Sequence, residues 1–119
     1  MLRIVVSGDR NWSDIQRVRQ CFSRFDNHQG QVELIHGDCK GLDKMAGYVG
    51  NEKGWTVIPV PAEWNKFGPS AGPIRNSQML DMNPSGLIWF HDDIQNSRGT
   101  KDMIKQAESR GIKVFCGSS

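Results

Sequence analysis

The chain has 119 residues, of which 37% are hydrophobic and 24% are charged, and its formal net charge is +2. This length fits one domain, and the composition is that of a folded protein, which excludes a disordered chain. No stretch approaches the ~18 apolar residues of a membrane span, and the N-terminal apolar run is too short for a signal peptide, so we expect a cytoplasmic protein without a membrane partner. The nearly balanced charge also makes a nucleic-acid partner the less expected one.

Five short apolar runs alternate with helix-like segments, a pattern typical of parallel strands joined by helical crossovers. The runs occupy residues 2–6, 31–35, 55–60, 86–90 and 112–115. We therefore predict that residues 1–119 form a single Rossmann-like α/β domain. Its five-stranded, mainly parallel sheet would carry helices on both faces.

Four helices are predicted between these strands from apolar spacing and from residues that favour helix ends. The first begins at a capping-box pattern with Ser13 as the N-cap, and the second ends before Gly54. The third runs over residues 72–82, because proline suits a first helical turn. The last is predicted to be capped by Thr100 and to end at Gly111.

The loops that follow the strands hold the candidate functional residues, because a doubly wound sheet binds its ligand beyond the carboxyl ends of the strands, where strand order reverses. These loops combine glycine, hydroxyl and arginine residues with helix N-termini, which suit an anion, and with aromatic residues. Together they predict a binding site for a nucleotide or a nucleotide-derived ligand. The candidate ligand-binding residues are Ser7, Gly8, Arg10, Trp12, His36, Gly37, Gly41, Asp43, Trp64, Arg75, Asn76, Arg98, Gly99 and Thr100.

Several of these residues also have a simpler structural interpretation. His36 can be a strand-end histidine that is satisfied by the backbone, and Asp43 can be an acid that favours a helix N-terminus. Trp64 and Phe67 either stack on a base or pin their long loop to the core. Arg75 differs, because a cation in the first turn of a helix opposes the helix dipole and is better explained by an anionic ligand.

The cysteines and glycine motifs bear on metals and cofactors. Cys21, Cys39 and Cys116 form no Cys-x-x-Cys pair, so we expect reduced thiols. His36 and Cys39 have metal-ligand spacing, but no second pair completes a tetrahedral site. The Walker A and Gly-x-Gly-x-x-Gly motifs are absent, which argues against P-loop and standard dinucleotide binding. We expect neither a metal nor a cofactor.

The ordered set of motifs resembles the YspA/YpsA-related branch of the SLOG superfamily over about residues 3–114. The motifs are Ser-Gly-x-Arg-x-Trp, His-Gly-x-x-x-Gly-x-Asp, Glu-Trp, Gly-Pro-x-Arg-Asn-x-x-Met and Ser-Arg-Gly-Thr-Lys-Asp-Met. The resemblance implies a Rossmann-like domain that binds nucleotides or nucleotide-derived ligands. Its relatives include LOG-type phosphoribohydrolases and sensor domains of bacterial and phage-defence systems. Related domains often form dimers, so we expect a homo-oligomer.

The resemblance also implies a catalytic alternative. In LOG-type relatives an arginine and an acid cleave the N-glycosidic bond of a nucleoside monophosphate, and the motifs align these roles with Arg75 and Asp102. The Pro-Gly-Gly portion of their loop is replaced here by residues 91–97, and their glutamate by the shorter Asp102. We therefore rank a nucleotide sensor or sequestering module first and a phosphoribohydrolase second. A nucleic-acid-binding module ranks third.

Overall fold

Five parallel strands form the central sheet of the computed structural model, which describes residues 1–118. The strand order is β3-β2-β1-β4-β5, and every neighbouring pair is parallel. This confirms the predicted Rossmann-like sheet, with each strand shifted by at most two residues from its predicted position. The strands are β1 (Leu2–Gly8), β2 (Val32–His36), β3 (Thr56–Pro59), β4 (Gly86–Phe90) and β5 (Lys113–Cys116).

Helices cover both faces of the sheet, and each face has its own hydrophobic core. Alternation along β1 sends Ile4 and Val6 to the face that is covered by α1 and α2, and sends Val5 to the face that is covered by α4 and α5. Burial of each such side chain contributes about 1.5–3 kcal/mol. The helices are α1 (Ile15–Phe22), α2 (Leu42–Glu52), α3 (Trp64–Phe67), α4 (Ala71–Leu80) and α5 (Gly99–Ser109).

Two of the predicted helix caps are wrong. The N-cap of α1 is Asp14 rather than Ser13, and its carboxylate accepts the Arg17 N–H at 3.1 Å. A carboxylate accepts a stronger hydrogen bond than a hydroxyl, and its charge is favoured at a helix N-terminus. The last helix has Arg98 rather than Thr100 as its N-cap and so begins two residues earlier than predicted; Thr100 lies inside it and donates its own N–H to the Ser97 hydroxyl at 3.1 Å.

The connection between β3 and α4 is more ordered than the long loop that was predicted. It contains α3 and a 3-10 turn at Gly68–Ser70, which leads directly into α4. Because β1 lies between β2 and β4, the connections after β1 and β4 leave towards opposite faces of the sheet and open a crevice at its carboxyl edge. Within residues 1–118, no helix is long and apolar enough to cross a membrane.

Candidate functional site

A cavity of about 670 Å³ opens at the carboxyl ends of β1 and β4, where strand order reverses. Its walls are the loop after β1, the start of α4, the N-terminus of α5 and Trp64 of α3. Cavities of this volume are typical of small-molecule sites. The predicted ligand-binding residues that line it are Ser7, Gly8, Arg10, Asp43, Trp64, Arg75, Asn76, Arg98, Gly99 and Thr100, and Asp102 joins them.

The wall that is formed by the start of α5 carries features that suit an anion. Arg98 and Gly99 are exposed and face the cavity, and Arg10 is an exposed cation on the opposite lip. The hydroxyls of Ser7 and Thr100 lie deeper, with their oxygens 3.4 Å apart. No hydrogen bond among residues 1–118 uses the Gly99 N–H. A helix N-terminus with an unused amide and adjacent cations favours negatively charged groups.

The loop before α2 is different, because several of its amides are already bonded within the protein. The Asp43 carboxylate accepts the N–H groups of Gly37 at 3.1 Å and Cys39 at 3.2 Å. The Leu42 N–H donates to the Asp9 carbonyl at 3.0 Å. A carboxylate of the chain itself therefore occupies two of the amides that were expected to suit an anionic ligand.

Asp43 is a buried acid with a perturbed pKa. Burial raises the pKa of Asp43 to about 6, against the opposing effects of the Cys39 N–H, the Arg75 charge and the Gly37 N–H. The side chain is therefore ionised at neutral pH. It acts as an internal anion behind the cavity wall.

Arg75 is a buried structural residue as well as a cavity residue. Its Nε donates to the Asn76 Oδ1 at 3.0 Å, and its Nη1 donates to the Gly37 carbonyl. It is the fifth residue of α4, so the predicted position in the first turn is wrong. Arg75 also supports the fold locally, since its guanidinium joins α4 to the loop after β2.

Asn76 connects the two residues that the resemblance assigned to glycosidic cleavage. Its side-chain oxygen accepts from Arg75, and its amide nitrogen donates to the Asp102 carboxylate at 2.9 Å. Gln106 donates to the same carboxylate oxygen at 2.8 Å. Asp102 is thereby held at the cavity wall by two amides, without a direct ion pair to Arg75.

Four predicted ligand-binding residues lie outside the cavity wall. Trp12 is buried, with its ring 5.7 Å from that of Phe90 and its Nε1 donating to the Asp14 carbonyl. His36 is buried behind the wall, and burial lowers the pKa of its imidazole. Gly37 is packed beneath the Arg75 guanidinium. Gly41 has a φ of 78° and contacts the Arg10 backbone, so both glycines serve tight packing.

Sequence reasoning missed several residues of the cavity wall. Two of them, Asp9 and Asn11, belong to the loop after β1, and their polar side chains could have identified them as candidates. Cys39 lines the wall with a thiol that contacts Arg75 and the Gly37 carbonyl. His91 directly follows β4, and this position at the carboxyl end of a strand could have identified it as a candidate. The remaining ones are Pro69, Gly72, Pro73 and Ser97.

No group of three or more His, Cys, Asp and Glu side chains within residues 1–118 is arranged to hold a metal ion. Cys21 and Cys39 are free thiols, and of these two only Cys21 is buried.

Comparison with protein families matches residues 2–67 to the YAcAr family, described as the YspA, cpYpsA-related SLOG family. Among solved structures, DNA processing protein A (DprA) from Streptococcus pneumoniae superimposes with a TM-score of 0.76 over 98% of this chain, at 18% sequence identity. This chain spans about half of that protein, since the match covers 50% of the DprA chain. At this identity the likeness shows the fold alone. Comparison with curated proteins gave no match.

Proposed function

The chain belongs to the YspA, cpYpsA-related SLOG family, and from this premise we propose that its cavity binds a nucleotide or nucleotide-derived ligand as a sensor or sequestering module. The observation that carries the proposal is the α5 wall, where Arg98, the Gly99 N–H and the Thr100 hydroxyl lie beside one cavity. This arrangement suits a phosphate group. The volume of about 670 Å³ leaves room for a sugar and a base.

Trp64 supplies the aromatic part of the proposed site. Trp64 is 50% exposed and lines the cavity, and its ring lies beside Gly72, where a Cβ would be in ordinary contact at 3.5 Å. Stacking of a base on an aromatic ring contributes about 1–3 kcal/mol. We therefore assign the base to the Trp64 side and the phosphate to the α5 side.

Binding without turnover is favoured by the state of Arg75. Two of its guanidinium nitrogens, Nε and Nη1, already donate to Asn76 and to the Gly37 carbonyl. An arginine engaged in this way supports the fold and has less capacity to stabilise charge that develops on a substrate. The loop at residues 91–97 also replaces the glycine pattern of the hydrolases.

Hydrolysis of a nucleoside monophosphate is the second candidate, and the Asp102 carboxylate in the cavity wall supports it. A carboxylate can stabilise the oxocarbenium-like state of ribosyl cleavage. The assay is release of free base from AMP, GMP, CMP and UMP by the wild type and by Asp102→Asn. We expect no release of free base above background. If the wild type releases base and Asp102→Asn lowers the rate a hundredfold or more, the hydrolase function replaces the binding proposal.

The binding proposal is tested by titrating the same four monophosphates and their nucleosides in a calorimeter. We expect the tightest monophosphate to bind more tightly than its nucleoside, and Arg98→Ala to weaken it about tenfold, the effect of one charge-assisted hydrogen bond. Arg24→Ala is the matched control, because Arg24 is an exposed arginine outside the cavity. Equal binding of nucleoside and monophosphate contradicts the proposal.

Two further arms extend this experiment. A single-stranded oligonucleotide is included because the structural neighbour DprA is a DNA processing protein. Oligonucleotide binding that exceeds monophosphate binding would favour the third-ranked function, a nucleic-acid-binding module. Sedimentation of the same samples with and without nucleotide tests our proposal that the chain forms a homo-oligomer.

A further inference from the structure

His91 is a cavity residue whose position is fixed from both sides. It follows β4 directly, and its backbone N–H donates to the Ser118 hydroxyl at 3.3 Å. The same hydroxyl lies 3.3 Å from the His91 carbonyl, to which it donates. The C-terminal segment after β5 therefore holds His91 at the carboxyl edge of the sheet, where the residue lines the cavity.

The proton of the neutral His91 ring is assigned to one nitrogen by the loop. The Asp93 N–H donates to His91 Nδ1 at 2.9 Å. A ring nitrogen that accepts a hydrogen bond carries no proton, so the neutral imidazole carries its proton on Nε2. His36 shows the same arrangement, with the Asp38 N–H at 2.9 Å from Nδ1, but His36 is buried and lies outside the cavity wall.

Several amides of the same loop already donate within the protein. The N–H groups of Asn96 and Ser97 donate to carbonyls of their own 3-10 turn at 3.1 Å, and the Thr100 N–H donates to the Ser97 hydroxyl. The Asp93 N–H is occupied by the imidazole. Between residues 91 and 97 the loop therefore offers the His91 Nε2–H, rather than these amides, as a hydrogen-bond donor to the cavity.

We propose that His91 is a ligand-binding residue that donates its Nε2–H to an oxygen of the bound nucleotide. The inference rests on the proposed nucleotide binding and adds a specific contact to it. A phosphate oxygen and a ribose hydroxyl are equivalent acceptors for this donor. In the neutral ring Nε2 cannot accept a proton or a hydrogen bond from the ligand, since that nitrogen already carries the proton.

Two amide variants separate this role from a purely structural one. His91→Asn places an amide oxygen near the Nδ1 position and keeps an acceptor for the Asp93 N–H, but it loses the donor. His91→Gln places an amide nitrogen near the Nε2 position and keeps the donor, but it loses the acceptor. A ligand-binding role predicts that Asn weakens binding about tenfold while Gln stays within about threefold of the wild type.

The measurement is calorimetric titration with the tightest of AMP, GMP, CMP and UMP, accompanied by a thermal melt of each variant. His28→Gln is the control, since His28 is an exposed histidine before β2, at the opposite edge of the sheet. The 2′-deoxy form of the nucleotide and inorganic phosphate distinguish the acceptors. If the 2′-hydroxyl is the acceptor, His91→Asn affects the ribonucleotide more than its 2′-deoxy form, and if the 3′-hydroxyl is the acceptor, it weakens both nucleotides but not inorganic phosphate. If a phosphate is the acceptor, His91→Asn weakens all three.

Four results overturn the inference, and they are distinguishable. Affinity that is lost in His91→Gln but kept in His91→Asn shows a loop-supporting role, and unchanged affinity in both variants shows no contact. Nitrogen-15 spectra of the nucleotide-free protein that place the neutral-ring proton on Nδ1 overturn it without any ligand. Failure of the wild type to bind any of the four nucleotides overturns the proposed function, and the inference with it.

Discussion

The loop before α2 and the loop before α5 look alike in sequence but use their polar groups in opposite ways. Each places glycine at a helix start and an acid in the first turn, Asp43 in one and Asp102 in the other. In the first loop the carboxylate bonds two backbone amides of its own loop. In the second loop the carboxylate bonds side-chain amides of Asn76 and Gln106, and the Gly99 N–H remains unused among residues 1–118.

This difference shows that a glycine-rich helix start does not identify an anion site by itself. Amides of such a loop bind either an external anion or a carboxylate of the chain, and both satisfy the same donors. The distinction depends on where each N–H donates. Residues 36–43 therefore form a structural loop, and residues 97–102 form the loop that we assign to the ligand.

The largest expected effect is the loss of stability on removal of the internal carboxylate. Asp43→Ala leaves the buried N–H groups of Gly37 and Cys39 without their acceptor, so we expect the free energy of unfolding to fall by about 3–4 kcal/mol. Urea unfolding at pH 7 measures it. Asp81→Ala is the control, because it removes only an exposed ion pair to Arg110 and should cost less than about 1 kcal/mol. Equal, small losses in both variants contradict the structural role.

The same carboxylate should make stability depend on pH. Because the pKa of Asp43 rises from 3.8 to about 6 on folding, the folded protein binds this proton more tightly than the unfolded chain between about pH 4 and pH 6. Its contribution to stability therefore increases as the pH falls through this window, by up to about 2–3 kcal/mol. His36 acts oppositely, since burial lowers its pKa and the unfolded chain is protonated first.

Asp43→Asn isolates the carboxylate from the histidine. Denaturation curves from pH 4 to pH 7 should show the wild type gaining stability relative to Asp43→Asn as the pH falls. A constant difference between the two proteins would show that Asp43 does not titrate in this range.

Arg75 extends the comparison from the loop to the helix that packs on it. We expect Arg75→Ala to lower the free energy of unfolding by about 2 kcal/mol, because the guanidinium hydrogen bonds to Asn76 and Gly37 are lost. Arg98→Ala, at the mouth of the cavity, should change stability by less than about 0.5 kcal/mol. Thermal melting and urea unfolding of both variants measure these changes. An Arg75→Ala protein with unchanged stability would show that Arg75 does not support the fold.

Alanine substitution of one glycine in each loop tests the difference between the two loops with the smallest expected effects. A Cβ at Gly37 would overlap the Arg75 guanidinium and lie 3.0 Å from the Asp43 carboxylate, whereas a Cβ at Gly99 would meet nothing within 4 Å. We expect Gly37→Ala to cost about 1–3 kcal/mol and Gly99→Ala to cost nothing measurable, since alanine favours helix. Similar effects on the melting temperature at both positions would remove the distinction between the loops.

Much of the fold was predictable from the sequence, and the helix starts less so. Short β-branched and aromatic runs and helical apolar spacing identify strands and helices locally. The choice between Ser13 and Asp14 as N-cap is a one-residue shift in where a helix begins, and the choice between Arg98 and Thr100 is a two-residue shift. Such a shift is below what apolar spacing resolves.

The candidate site was predictable as a region of the fold but not as a set of contacts. The alternating pattern predicts that the loops after the strands lie at one edge of the sheet, but the strand order that brings the loops after β1 and β4 together comes from the structure. Whether an aromatic ring faces the cavity depends on tertiary packing, which sends Trp12 against Phe90 and leaves Trp64 half exposed. The sequence also does not show whether Asp43 or a ligand accepts the N–H groups of the loop before α2, because both are anions.

The most direct test of the account is a nitrogen-15 amide spectrum titrated with the tightest-binding of AMP, GMP, CMP and UMP. If the α5 wall binds the phosphate, the amide signals of Ser7, Gly99 and Thr100 shift first and most, while those of Gly37 and Cys39 change little. Inorganic phosphate should shift the α5 signals alone. Large shifts at Gly37 and Cys39 with an unchanged Gly99 would show that the ligand displaces Asp43 from its loop, and would contradict the assignment of the two loops.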